Sequence, residues 1–196
     1  MEPERKRTIA FIDGQNLYFA VKYEFGYTFP NFDVAKLASA ICSRANWDLT
    51  QVRFYTGVPP THANPRWHDF WVAKLAAMGQ AGIHVYSRPL VTRDGQMHEK
   101  GIDVRISLDI VRLASKNEFD VALVFSQDQD LSEAAAEIRQ VAAEDRRWIK
   151  VASSFPLRRS PAENKGINYT DWLPFDKALY DTCIDPRDYR AKPAPS

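Results

Sequence analysis

The chain has 196 residues and a mass of 22.4 kDa, the size of one ordinary domain. Its 26 basic and 25 acidic side chains leave a formal charge of +1, which excludes a polycationic tail and an acidic solvating segment. The two cysteines, Cys42 and Cys183, stand far apart, and no apolar run is long enough to span a bilayer. A disulfide scaffold, a cysteine zinc site and a membrane partner are therefore excluded, and the expected location is the cytoplasm.

Residues 1–7 read as a polar extension, after which Thr8–Ile12 (TIAFI) is the first predicted strand and runs straight into Asp13. Gly14 after it reads as a turn. Asp33 can cap a helix over Val34–Arg44, and Val52–Tyr55 is the second strand. Asn64–Pro65 opens a helix reaching Gln80, with proline at its first turn, and Ile83–Tyr86 is the third strand. A helix over Ile102–Ser115 lines up Ile102, Ile106, Ile110 and Leu113. Val121–Phe125 (VALVF) is the fourth strand, and it is followed by a helix from about Leu131 to Glu144. Trp148–Ala152 is the fifth strand, Pro156–Lys165 is a polar basic loop and Pro174–Cys183 reads as a closing helix. Residues 185–196, with three prolines and little apolar content, read as a loose tail. The strands are short and apolar without clean alternation, as in a parallel sheet covered on both faces. The alternation predicts one α/β domain over 8–184, a three-layer Rossmann-like fold around a mainly parallel five-stranded sheet.

The aspartates fall at informative places. Asp13 ends the first strand, and the fourth leads into Ser126–Gln127–Asp128–Gln129–Asp130. In an open parallel sheet, sites form at the C-terminal edge where strand order reverses, and strands one and four are candidates for that position. Asp103, after Lys100–Gly101–Ile102, lies in the first turn of its helix. Carboxylates meeting at one edge repel one another, and a divalent cation relieves this. With no cysteine or histidine pair in the set, oxygen ligation favours magnesium or manganese. Each acid also has a plainer reading, because strand-end and first-turn aspartates routinely cap helices. Asp109 stands about 240° around its helix from Asp103, which separates it from that group. Neither a phosphate-cradling loop nor a dinucleotide fingerprint is present, and His62, His68, His84 and His98 form no ligand pair.

Three segments, FIDGQNLY (Phe11–Tyr18), KGIDVRISLDI (Lys100–Ile110) and FSQDQDL (Phe125–Leu131), together resemble the NYN family, in its LabA-like branch of PIN-like nuclease domains. The resemblance covers about Thr8 to Ala152. It implies a PIN-like fold and a metal-dependent ribonuclease with Asp13, Asn16, Asp103, Asp128 and Asp130 in the site. Asp13, Asp103, Asp128 and Asp130 are then the metal ligands. Gln127 and Gln129 replace the usual small residues between the acids, and Leu131 stands where phenylalanine is common.

Under that reading Asn16 orients water or a phosphate oxygen, and Lys100 stabilises charge on the phosphoryl group. Arg158, Arg159 and Lys165 are candidates for holding an RNA backbone, within a basic group that includes Arg146, Arg147 and Lys150. Tyr18, Tyr23, Tyr27, Trp67, Trp71 and Tyr86 offer stacking faces for unpaired bases, or simply belong to the core. The Trp67/Trp71 face and Phe175–Tyr180 are alternatively surfaces for a homodimer. Two other functions compete with the nuclease: an RNA-binding or regulatory module with little catalysis, and a small-substrate enzyme on the same scaffold.

Overall fold

The computed structural model describes residues 1–93, 96–158 and 160–190. In chain order the elements are β1 (Arg7–Asp13), α1 (Gly14–Phe25), α2 (Val34–Ala45), β2 (Asp48–Val58), α3 (Pro65–Gln80) and β3 (His84–Pro89). A short hairpin, β4 (Val91–Arg93) and β5 (Gln96–His98), leads to α4 (Ile102–Ser115) and β6 (Val121–Phe125). The chain continues through α5 (Ser132–Glu144), β7 (Lys150–Pro156), β8 (Asp171–Phe175) and α6 (Lys177–Thr182).

The main sheet is parallel throughout, in the order β3-β2-β1-β6-β7-β8. Chain order reverses between β1 and β6, which pair directly from Thr8↔Val121 to Ile12↔Phe125. The expected α/β class with a mainly parallel sheet is thus present, with six strands rather than five. The additional strand, β8, begins before Pro174, where a helix was expected. Proline donates no ladder hydrogen bond, which an edge strand tolerates. The helix that follows is short and starts only after Asp176, whose side chain accepts the Leu179 N–H at 2.8 Å.

The segment read as a turn after Asp13 is instead the helix α1. Its buried stripe is thin, Gly14, Leu17 and Val21, and Gly26 ends it in the left-handed region at φ +80°. Outward-facing Phe19 and Tyr23 obscure this amphipathic pattern in the sequence.

Alternating side chains of β1 feed two cores. Ala10 and Ile12 pack with α1, α2, α3 and α6 around Phe32, Phe54, Phe70 and Tyr180. Ile9 and Phe11 pack with α4 and α5 around Ile106, Ile110 and Ile138. Trp71, Phe175 and Tyr180 lie within the first core, so these aromatic faces close the domain on itself. Cys42 and Cys183 are buried and unbridged. Among the described residues no helix is long and apolar enough to cross a membrane.

The segment after α6 packs back onto the domain. Lys74 of α3 is 1 % exposed, donates to the Phe32 carbonyl at 2.9 Å and faces Asp185 at 3.5 Å. Tyr189 donates to Asp185 and meets Phe70 edge-on. Asp109, as expected, stands apart from the strand-end acids. It is buried and accepts from Tyr55 at 3.0 Å, Arg53 at 3.3 Å, Arg105 at 3.2 Å and Arg112 at 2.9 Å.

Candidate active site

Because β1 and β6 are adjacent and parallel, their C-terminal ends deliver Asp13 and the Ser126–Asp130 turn to the same edge. α1 starts at the residue after Asp13 with no intervening loop. Gly14 makes this possible, since a Cβ there would run into the Phe54 ring and the Tyr55 carbonyl. The Asp13 carboxylate accepts the Asn16 N–H at 3.0 Å and caps α1. Asp128 accepts the Asp130 N–H at 3.0 Å and caps the 3₁₀ turn Gln129–Leu131. Capping and site placement therefore coincide in both residues.

Asp103 enters from the first turn of α4, which begins after Gly101 at φ +74° and has no side-chain cap. Asp13, Asp103 and Asp128 line one cavity of about 960 Å³ together with Glu99, Asn16 and Arg158. Burial pushes the Asp13 carboxyl up to about 6, and the negative charges of Asp128 and Asp103 add to this. The N–H groups of Asn16 and Gln15 pull in the opposite direction.

Glu99 is a member of this group that motif spacing missed. Its Oε2 accepts the Gly57 N–H at 2.8 Å, and burial together with Asp13 and Asp103 pushes its carboxyl up to about 7. The sequence carried one signal, its position four residues before Asp103 across the start of α4. Gly57 allows the approach, because a Cβ there would collide with Leu90 and crowd Glu99.

The remaining expected residues are distributed more widely. Asn16 lines the cavity, and its Oδ1 accepts the Gln127 N–H at 3.0 Å. Asp130 is exposed and outside the cavity lining, because the 3₁₀ turn directs it outward. Lys100 is exposed and lines a neighbouring cavity with Val91, Arg93 and Glu99. Arg158 stands at the mouth, its Nε 3.5 Å from Oε1 of Glu24. Lys165 is exposed, and its carbonyl accepts from Gln127 Nε2 at 2.7 Å. Arg159 lies outside the described residues.

The two glutamines of the Ser126–Asp130 turn act as fasteners. Gln129 donates to the Gly166 carbonyl at 3.0 Å and accepts the Asn168 N–H at 3.2 Å. Together with Gln127 it ties the loop before β8 to the end of β6.

Among the described residues, no group of three or more His, Cys, Asp or Glu side chains forms a ready-made metal site. The donor chemistry nevertheless suits a hard cation. The acids facing the cavity offer carboxylate oxygens alone, and two of them hold protons well above the ordinary carboxylate range.

A family model described as "NYN domain" matches residues 7–144. Among solved structures, a Vibrio parahaemolyticus protein of unknown function aligns with a TM-score of 0.59 at 21% identity, covering 90% of this chain and 98% of that one. At that identity the likeness shows the fold alone. Acinetobacter baumannii MurG aligns with a TM-score of 0.32 at 13% identity, covering 83% of this chain and 45% of that one. A search of curated proteins gives no match.

Proposed function

The chain belongs to the NYN domain family, within the PIN-like nuclease superfamily, and on that premise we propose that it is a metal-dependent ribonuclease of the LabA-like branch. One observation carries this reading: four carboxylates from three separate segments, Asp13, Glu99, Asp103 and Asp128, face one open cavity at the strand-order reversal. The two buried, unbridged thiols suit a reducing, cytoplasmic setting.

Asp13, Asp103 and Asp128 would hold a magnesium or manganese ion, with Glu99 as a further acid beside them. Such an ion supplies a lowered pKa for a bound water and neutralises phosphate charge. Glu99, titrating near 7, accepts the proton of the attacking water on Oε1, while Gly57 holds Oε2. Asn16 fixes the distance between the Asp13 and Asp128 segments through Gln127. Arg158, steadied by Glu24, meets a phosphate oxygen at the cavity mouth. Lys165 extends this contact along the strand. Asp130 acts through the 3₁₀ turn that its N–H helps to form. Lys100 reaches the phosphoryl group only of a substrate that spans both cavities.

The test is cleavage of single-stranded RNA, with DNA alongside, in magnesium or manganese. Cleavage is expected with either ion, and its loss is expected with chelator and in Asp13→Asn. A second reading, an RNA-binding module with little catalysis, is favoured by the lack of a preformed three-donor set among the described residues. RNA binding without cleavage in any divalent ion establishes that reading instead.

A further inference from the structure

A second cavity, of about 320 Å³, abuts the acidic one, and its wall has the opposite character. Gln15, Phe19 and Lys22 line both, so the face of α1 that carries them forms the seam. The rest of the second wall sets the rings of Tyr18, Trp67 and Trp71 among Leu90, two prolines and the small polar Thr28 and Thr56. Among the described residues Lys22 is its one charged residue, whereas the first cavity is lined by Asp13, Glu99, Asp103 and Asp128, with Glu24 beside Arg158 as a fifth carboxylate.

These rings are held before any ligand arrives. Tyr18 donates its hydroxyl to the Thr28 carbonyl at 2.9 Å, and its ring leans on Phe19 with centroids 5.3 Å apart. Trp67 meets Phe70 edge-on at 5.1 Å, and Trp71 lies against Phe54 as the floor. Phe19 remains 55 % exposed at the rim. A flat, uncharged, π-faced group fits this wall, and a negative group attached to it meets Lys22 at the seam. Gln15 adds an amide able to pair with the edge of such a group.

We propose that this cavity, with its aromatic rings, is a subsite for one nucleobase adjoining the bond that is cut. The inference rests on the ribonuclease reading and adds a base-binding subsite to it. To lie against these rings, a nucleotide within a duplex must leave its stack. Phe19 and Trp67 supply the stacking surfaces, and Lys22 takes the phosphate between the base and the acidic cavity.

The experiment measures fluorescence anisotropy of a labelled single-stranded RNA on the full chain carrying Asp13→Asn, in manganese. An abasic nucleotide is then placed at each position of the RNA in turn. One position is expected at which base removal weakens binding about tenfold. Phe19→Ala and Trp67→Leu are each expected to erase that positional effect. Phe19 is exposed, so its variant keeps the fold, and the abasic series itself needs no change beyond Asp13→Asn. Absence of RNA binding, a flat abasic profile, or a positional effect that survives both substitutions overturns the subsite. The two readings fail separately. Cleavage that depends on Asp13 with a flat abasic profile removes the subsite alone. A positional base effect in a chain that cuts nothing removes the nuclease alone.

Discussion

The side-chain oxygen of Asn16 accepts the backbone N–H of Gln127 at 3.0 Å, joining two residues 111 positions apart. Asn16 also donates its own N–H to Asp13, and Gln127 directly precedes Asp128. One amide therefore sets the spacing of the two strand-end carboxylates. Asn16→Ala leaves the Gln127 N–H without its partner and is expected to cost about 1–2 kcal/mol of stability. Cleavage should fall further than that loss implies, by up to about a hundredfold, because the acids move relative to each other. Urea unfolding and cleavage rates on the same preparation separate the two effects. Equal losses in Asn16→Ala and in a surface control would show that Asn16 has no positioning part.

The raised carboxyls of Asp13 and Glu99 give stability a distinctive pH dependence. Their pKa values in the folded chain, about 6 and about 7, exceed the ordinary 3.8 and 4.5. Each group therefore binds its proton more tightly when folded. Its contribution is fully present below the ordinary value and is lost as pH rises through the folded one. In chelator, the melting temperature should fall between about pH 4.5 and pH 7.5, each unit of difference in pKa being worth about 1.4 kcal/mol. Manganese should raise it strongly at the upper end and little at the lower, because protons compete for the same oxygens. Asp13→Asn should melt higher than the unaltered chain in chelator at about pH 7.5, and equal melting there would contradict the burial argument.

Asp109 is the control acid. Burial opposes its charge, but the bonds from Tyr55, Arg53 and Arg105 outweigh this and hold its carboxyl below the ordinary range. Its contribution is present at neutral pH and lost as pH falls below about 4. Asp109→Ala strands the guanidinium of Arg53, which is 13% exposed, and is expected to destabilise by about 3–5 kcal/mol. Manganese binding to the molecules that remain folded should be unchanged, as isothermal titration would reveal.

Lys74 and Asp185 make a similar forecast for the end of the chain. Burial lowers the pKa of Lys74, and Asp185 works to restore it. Asp185→Ala removes the carboxylate and leaves a buried ammonium, at a cost of about 3 kcal/mol. Lys74→Met added to Asp185→Ala should recover part of that loss. Calorimetric melting of the four chains, with and without each change, tests the coupling.

Much of this was legible because the determining pattern was local. β1 and β6 are short apolar runs that end at acids, and α4 and α5 show clear apolar stripes. α1 was hidden because Gly14 next to Asp13 mimics a turn and because its exposed face carries aromatics. β8 was read as helix because Pro174 resembles a helix opening until the neighbouring β7 shows it to be an edge. Glu99 could not be assigned because its partner, Gly57, arrives from a strand 42 positions away. The outward turn of Asp130 depends on Asp128 closing a 3₁₀ turn, and spacing alone does not encode that.

The parallel pairing of β1 with β6 also governs when the site comes into being. Asp13 and Asp128 are 115 positions apart (128 − 13), so synthesis delivers the first carboxylate well before the second. Until β6 docks beside β1, the carboxylates of Asp13 and Asp128 have no shared edge, so the acidic cavity forms only with the finished sheet centre.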